Sequence, residues 1–410
     1  MKRVIIVATL LAGVAAQLGA QQPDSVRARQ IRDSIELVRE LERMRGDTTR
    51  RAMGPQLPPI NPRLMPDLSA IADIVGDLSP KGSTQEDATR FAVREVELAI
   101  AANVDPYFRA DFILGLSDEE GIAIEEAYGT ALALPWQLQA RIGRFHMPVG
   151  KQNTTHRAEL HTLEYPYVIQ RFLGAEGLKG TGLWISKILA PFGFYQELQV
   201  TAVDRFGEAD ENLLTENPPN KDLAGLGLSA RLRNYWDFSE STNLELSASA
   251  ITGKREQPFN FRLTPPAPDV NAVLARQALY GADLTFRWRP LQQGLYKSFI
   301  AQAEFIRQLN ARDADPDYLG PSRDFSGAYG FARWQVSRRL HVGGRYDWLE
   351  DPELAGETFT AGSGYLEWFP SEFSKLVLAY EHAMPKGVTA TNRILLQATF
   401  AVGPHRPHPF

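Results

Sequence analysis

The sequence of 410 residues contains no cysteine. This absence excludes a disulfide framework, a thiol nucleophile and a thiolate metal site. The formal net charge is only −5, which argues against a polybasic surface for nucleic acid. Beyond the N-terminus the sequence also has no charge-free apolar run of about 18 residues, so it does not describe a helical membrane protein.

Sequence motifs of catalysis are missing as well. The sequence has no G-x-S-x-G elbow, no Walker loop and no H-E-x-x-H motif. Barrel enzymes use a Ser and a His near the membrane surface, and Ser363 or Ser374 with His382 would be the candidates here, but nothing in their spacing singles them out. We therefore predict that the protein is not an enzyme.

The N-terminus has the pattern of a secretory signal peptide. Lys2 and Arg3 form a positively charged start, and residues 4–14 form an apolar stretch. Small residues then lead to a predicted cleavage after Ala20, with Ala16 as the second choice. The alternative, a single anchoring helix, needs a longer apolar core than these roughly eleven residues. We expect an exported protein.

Two segments separate this signal from the main domain. Residues 21–53 are strongly charged, and a thin apolar stripe at helical spacing runs through them. A short coiled coil that joins subunits and a solvated helix or linker both fit this pattern. Residues 54–66 contain five prolines and cannot form a helix or a central strand, so they mark a boundary.

From residue 68 onward, apolar and polar residues alternate in short segments. Residues 244–250 read LELSASA, and residues 226–233 place leucine and alanine opposite serine and arginine. This period of two is the mark of strands with one apolar and one polar face. Soluble sandwiches alternate too, but here the polar face carries ionised side chains in nearly every segment, and no helical segment intervenes.

The connections between these segments alternate between short and long, and the longest spans residues 147–180. Short turns at one end and long loops at the other describe an outer-membrane barrel. Fifteen strands are counted from residue 91 to 402, and a strand at 68–75 makes the number even, as in single-chain bacterial barrels. We predict an all-β, transmembrane antiparallel β-barrel of about 16 strands over residues 67–402. Its last strand is 393–402, and a Pro/His-rich tail over 403–410 follows.

Aromatic residues cluster at the predicted turns, where an interfacial girdle places them. The members of this set are Trp136, Trp236, Trp288, Phe299, Trp368, Phe369 and Phe373.

Several stretches resemble a known family of barrels. Residues 143–150 (GRFHMPVG), residues 94–111 (REVELAIAANVDPYFRAD) with the following EEAY at 125–128, and residues 61–76 resemble the phosphate-selective porin O and P type and related porin-like barrels. The resemblance implies an outer-membrane diffusion channel, general or anion-preferring, that forms a homotrimer. Its expected partners are the lipid bilayer and small polar or ionic solutes, with no nucleic acid.

Alternation places charged side chains on the inner wall, where they would line a pore. The predicted pore-lining residues are Arg109, Asp111, Arg141, Arg231, Glu245, Asp283, Arg287, Glu304, Arg333, Arg345, Glu367 and Arg393. Such charges either select ions or pair with each other for stability. The 147–180 loop is expected to fold inward as a constriction. Its candidate residues are Lys151, His156, Arg157, Glu159, His161 and Arg171.

No cofactor and no metal site is predicted. Three histidines lie in or beside the long loop, but the spacings of ten and five between His146, His156 and His161 fit no compact metal motif. The expected function is passive diffusion of small solutes, selected by size at the loop and by charge at the wall. The alternative is a non-conducting structural or adhesive barrel that its loops seal.

Overall fold

The fold is known from a computed structural model. It describes residues 66–85, 89–117, 121–189, 192–206, 225–256, 274–310, 324–352, 357–387 and 389–403. The predicted signal peptide, the charged segment 21–53, all but the last residue of the Pro-rich linker, and the tail from residue 404 onward lie outside these residues. In the described part, no helix is long and apolar enough to cross a membrane.

Sixteen antiparallel strands form one closed barrel, which confirms the predicted fold and strand number. The strands are β1 Asp67–Asp77, β2 Phe91–Asn103, β3 Phe108–Ser117, β4 Gly121–Leu134, β5 Leu138–His146, β6 Lys179–Leu189, β7 Tyr195–Phe206, β8 Gly227–Ser239, β9 Thr242–Glu256, β10 Leu274–Trp288, β11 Phe299–Asn310, β12 Phe325–Ser337, β13 Leu340–Asp351, β14 Glu357–Ser371, β15 Ser374–Pro385 and β16 Thr391–Val402.

The barrel closes where β1 pairs with β16. Ala70 lies opposite Val402 and Ile74 opposite Ala398, so the strands predicted at 68–75 and 393–402 are the two that meet. Every other strand pairs with its neighbours in sequence. Because the number of antiparallel strands is even, the start of β1 and the end of β16 both lie at the end of the barrel that carries the short turns.

Helical structure in the described chain is confined to connections. The β4–β5 turn contains a 3₁₀ turn, Pro135–Gln137. The β5–β6 connection contains the 3₁₀ turns Gln152–Thr154 and Arg157–Glu159 and one short α-helix, α1, at Tyr167–Phe172.

The two faces of the wall differ in polarity because successive side chains point to opposite sides. Leu246, Leu378 and Leu396 are exposed on the outer face, while Glu245 and Asp283 on the inner face are each only 1% exposed. The outer face is therefore the apolar one. This is the opposite of a soluble protein, and it is the arrangement that a hydrocarbon surrounding requires.

Aromatic side chains gather on the outer face beside the turns. Trp288 stacks on Trp334 with ring centroids 5.7 Å apart, and Phe299 lies 5.6 Å from Trp334. Phe369, which the sequence predicts in the same girdle, points inward instead, and its ring lies 5.2 Å from that of His341. Regular alternation accounts for this difference, because Phe369 directly follows Trp368, which is exposed on the outer face, and successive side chains point to opposite faces.

The position of Leu396 gives a test of the register. Leu396 lies near the middle of β16, and Leu228 is the second residue of β8, at the loop end. An arginine on the lipid face costs roughly 2–4 kcal/mol at the bilayer midplane and roughly 0–1 kcal/mol near an interface. We expect Leu396→Arg to lower the free energy of unfolding by the larger amount and Leu228→Arg by the smaller one.

Denaturant titration of the protein refolded in lipid vesicles measures both changes. A negligible effect of Leu396→Arg in folded protein would show that this face is not in lipid.

Candidate functional site: the loop inside the barrel

The long connection between β5 and β6, residues 147–178, is here called the lumen loop. Its backbone touches strands far along the wall. The N–H of Tyr167 donates to Asp347 on β13 at 2.9 Å, and the ammonium of Lys375 on β15 donates to the carbonyl of Ala158 at 3.1 Å. Contacts with both β13 and β15 are compatible only with a loop that lies inside the barrel.

Gly150, the last residue of the GRFHMPVG stretch, allows the loop to turn against the wall. Its φ is +59°, a conformation that glycine adopts without steric cost. A Cβ at this position would overlap the carboxylate of Glu304 on β11. The N–H of Gly150 also donates to the hydroxyl of Ser249 at 3.3 Å. A side chain at residue 150 would therefore push the loop away from β9 and β11.

The helix α1 packs against apolar residues on the inner wall. Val168, Ile169 and Phe172 are fully buried, and a Cβ at Gly327 would lie only 2.6 Å from Cγ2 of Val168. The wall residues that join this cluster at the loop end are Leu279, Ile306, Phe325 and Leu349. The sequence analysis did not predict this apolar cluster. Apolar residues at inward positions of an otherwise polar face are the signal that could have indicated it.

Lys151 ties the start of the loop to the inner wall. Its ammonium lies 3.1 Å from the carboxylate of Glu245, and its backbone N–H donates to Glu304 at 3.3 Å. Burial lowers the pKa of Lys151 from 10.5 to about 8, and the Glu245 carboxylate opposes that shift. The predicted constriction residue Lys151 and two predicted pore residues are thus in direct contact.

A second polar cluster holds the middle of the loop. The Glu164 carboxylate lies 2.8 Å from Arg393 and 3.6 Å from Arg94, and the guanidinium of Arg345 donates to the Glu164 carbonyl. Burial alone raises the pKa of Glu164, but the guanidinium groups of Arg393 and Arg94 outweigh it and lower the pKa from 4.5 to about 2. Glu164 is therefore ionised at neutral pH.

The register places the twelve predicted pore-lining residues on the inner face, where most of them form ion pairs. The pairs are Arg109–Asp111 at 3.1 Å, Arg231–Asp283 at 3.1 Å, Arg287–Glu245 at 3.5 Å, Arg333–Glu367 at 2.6 Å, Arg345–Asp347 at 2.7 Å and Arg393–Glu381 at 2.7 Å. Glu304 accepts a hydrogen bond from Tyr329 at 3.1 Å. The wall charges therefore largely compensate one another.

A polar cavity of about 450 Å³ remains between strands β3–β5 and the first turns of the lumen loop. Its lining includes five charged residues: Arg109, Asp111, Arg141, Lys151 and Glu159. The guanidinium of Arg141 lies over the rings of Tyr128 and Trp184, 4.9 and 4.4 Å from their centroids. Cation–π contact orients this cation without neutralising its charge.

The remaining predicted loop residues also face the wall. Arg157 lies 3.9 Å from Glu95, and Arg171 lies 3.5 Å from Asp351. The ring of His161 is 6.1 Å from that of Phe331.

The fold brings two of the three histidines together with a carboxylate. The ring nitrogens of His156 lie 3.1 Å from Glu97 and 3.3 Å from Glu126, and Nδ1 of His146 lies 3.5 Å from Glu126. Burial alone lowers the pKa of His156, but Glu97 and Glu126 outweigh it and hold that pKa well above 6.5. The sequence did not predict this cluster, because its members come from four separate elements.

No protein-family model matches the chain. An uncharacterised protein of Aquifex aeolicus is 28% identical over 342 residues, which cover 78% of this chain and 70% of that protein.

Solved structures of outer-membrane porins share the architecture. An anion-selective porin of Comamonas acidovorans matches with a TM-score of 0.52 at 11% identity, covering 82% of this chain and 99% of its own. OprB of Pseudomonas putida gives 0.51 at 10% identity, with 82% and 94% covered. OmpT of Vibrio cholerae, described as an outer membrane protein in trimer form, gives 0.51 at 9% identity, with 82% and 99% covered. The chain therefore has the fold of outer-membrane porins, which confirms the expected porin-like barrel.

The ion pairs of Glu164 make the stability of the loop depend on pH. Because the pKa of Glu164 is lowered to about 2 in the folded protein, its contribution is present above pH 4.5 and is lost as the pH falls towards 2. We expect Glu164→Gln to lower the thermal unfolding midpoint at pH 7 and to differ less from the wild type as the pH approaches 2.

Thermal unfolding of the detergent-refolded protein between pH 7 and 2 measures this difference. Glu372→Gln, in the exposed β14–β15 turn, is the control. If the unfolding midpoints of Glu164→Gln and the wild type differed by the same amount across this pH range, the ion pairs of Glu164 would not stabilise the folded protein in the way described.

Proposed function

We propose that the protein is a porin-like channel of a bacterial outer membrane, through which small polar or ionic solutes diffuse passively. The observation that carries this proposal is the polar cavity beside the lumen loop, inside a barrel whose outer face is apolar. The likeness to porin structures supports the same function, as does the predicted signal peptide. The homotrimer and the absence of enzymatic activity remain predictions.

The lumen loop is the proposed constriction. It fills the loop end of the lumen with apolar side chains around α1 and leaves space on the β3–β5 side. Solutes would pass along that side, where Arg109, Asp111 and Arg141 on the wall and Lys151 and Glu159 on the loop line the cavity. Charged groups on both the wall and the loop side of a narrow passage favour small polar solutes over apolar ones.

The same apolar packing is what a sealed barrel needs, so conductance must decide between the two functions. We expect stable ohmic steps from the refolded wild type in planar lipid bilayers. Replacing residues 152–173 by a short Gly/Ser linker should enlarge those steps, because it removes the material that fills the lumen. Replacing residues 291–296, in the β10–β11 turn outside the lumen, by the same linker is the control.

Three results are distinguishable in this experiment. A conducting wild type with larger steps from the loop variant supports the channel. A silent wild type with a conducting loop variant establishes the sealed barrel. Two folded but silent proteins would show that the lumen is not a pathway, and the channel proposal would be wrong.

Charge selection is tested at Arg141. If solutes pass through the cavity, Arg141→Glu places a negative charge in their path, and the reversal potential under a salt gradient should shift towards cation selectivity. Arg338→Glu makes the same change of charge in the exposed β12–β13 turn and should shift it far less. Equal shifts in the two variants would mean that the cavity is not the conducting path.

A further inference from the structure

The cluster of His146, His156 and Glu126 has no part in the proposed diffusion pathway. Glu126 lies on β4, His146 ends β5, and His156 belongs to the lumen loop. One ligand atom from each residue lies within 4.8 Å of the others. All three residues are buried, with exposures of 6–7%. Two imidazoles and a carboxylate thus converge at a point that water does not readily reach.

In each imidazole, the ring nitrogen that points away from Glu126 is called the outer nitrogen, and the other is called the inner nitrogen. Each outer nitrogen has a hydrogen-bond acceptor beside it, which fixes a proton on that nitrogen. Nδ1 of His156 lies 3.1 Å from the Glu97 carboxylate, and Nε2 of His146 lies 3.3 Å from the carbonyl oxygen of Glu176. Both partners accept hydrogen bonds, so both of these nitrogens carry hydrogen. Histidines that bind metals characteristically donate their second nitrogen to a carboxylate or a backbone carbonyl in this way.

The inner nitrogens then face the Glu126 carboxylate. Nε2 of His156 lies 3.3 Å from it and Nδ1 of His146 lies 3.5 Å from it. The buried Nδ1 of His146 has no hydrogen-bond partner among the described residues. In a neutral imidazole this nitrogen presents a lone pair, and a lone pair that faces a carboxylate is unfavourable unless a cation lies between them. A proton on the ring or a metal ion satisfies that requirement.

We propose that Nδ1 of His146, Nε2 of His156 and the carboxylate of Glu126 bind a divalent transition-metal cation of the zinc class. Glu97 is the outer carboxylate that orients His156. Bonds of about 2.0–2.1 Å at tetrahedral angles separate ligand atoms by about 3.3 Å. His156 and His146 lie 3.3 and 3.5 Å from the two different oxygens of the Glu126 carboxylate, and one ligand atom from each residue lies within 4.8 Å of the others, so a bound ion would draw the three residues closer together. The two nitrogen ligands favour zinc-class ions over Mg²⁺ or Ca²⁺, which prefer oxygen.

Such an ion would act as a clamp on the lumen loop. It would link β4 and β5 to the first part of the loop, and through Glu97 it would reach β2. The loop is otherwise held on this side by ion pairs such as Arg157–Glu95. Binding in the folded barrel but not in the unfolded chain stabilises the fold by mass action.

The first experiment titrates Zn²⁺ into the full-length protein, refolded in detergent and stripped with a chelator. We expect one Zn²⁺ per chain by calorimetry and by metal analysis after dialysis. Glu126→Gln and His156→Asn should each weaken binding by more than about 100-fold, and Glu97→Gln by roughly 10- to 100-fold, as for other outer carboxylates. His161→Asn, a change of the same kind in the same loop, should leave the affinity unchanged.

Folding is checked separately by the heat-modifiable gel migration of each variant. Glu126→Gln retains an oxygen that can accept the hydrogen bond from the backbone N–H of His146, so the fold is expected to survive. If the folded wild type binds no Zn²⁺ at neutral pH, the cluster is an imidazolium–carboxylate ion pair and the proposal is wrong. Equal binding by the wild type and His156→Asn would overturn it as well.

Discussion

The whole structure depends on the hydrogen-bonded closure between β1 and β16. An unpaired backbone N–H or C=O in hydrocarbon costs several kcal/mol, so a sheet can span a membrane only when it has no edge. Closure then fixes which side of each strand is inside. Apolar residues such as Leu396 and Leu378 lie on the outside, and the polar residues between them lie on the inside.

A sixteen-stranded wall encloses more space than its own side chains fill. The lumen loop occupies part of that space through two kinds of contact. Around α1 the contacts are apolar, with Val168 pressed against Gly327. Elsewhere they are ionic, and the lumen loop carries Lys151 and Glu164 to wall charges of opposite sign. Burying these charges is tolerable because each has a partner. The space that remains polar lies beside β3–β5.

Period-two alternation predicted most of the wall, including the first and last strands. It could do so because the two faces of a strand alternate residue by residue, and this alternation is the same in a closed barrel as in an open sheet. The girdle prediction was wrong for Phe369, because Phe369 directly follows the outward-facing Trp368 and therefore points inward. The inward apolar residues Leu279 and Ile306 were not predicted to pack against a loop, because alternation distinguishes the two faces of a strand but does not reveal which part of the inner face a loop covers.

The sequence by itself determined the barrel, its sixteen strands and the face on which most of the wall side chains lie, because these follow from residue periodicity and from the parity of an antiparallel ring. Only the tertiary structure decided which inward groups meet. Glu126, His146 and His156 are separated by 20 and 10 residues, and a turn at Gly150 lies between the two histidines. Their proximity depends on strand register and on the path of the loop across the lumen, which are non-local and leave no periodic signal in the sequence.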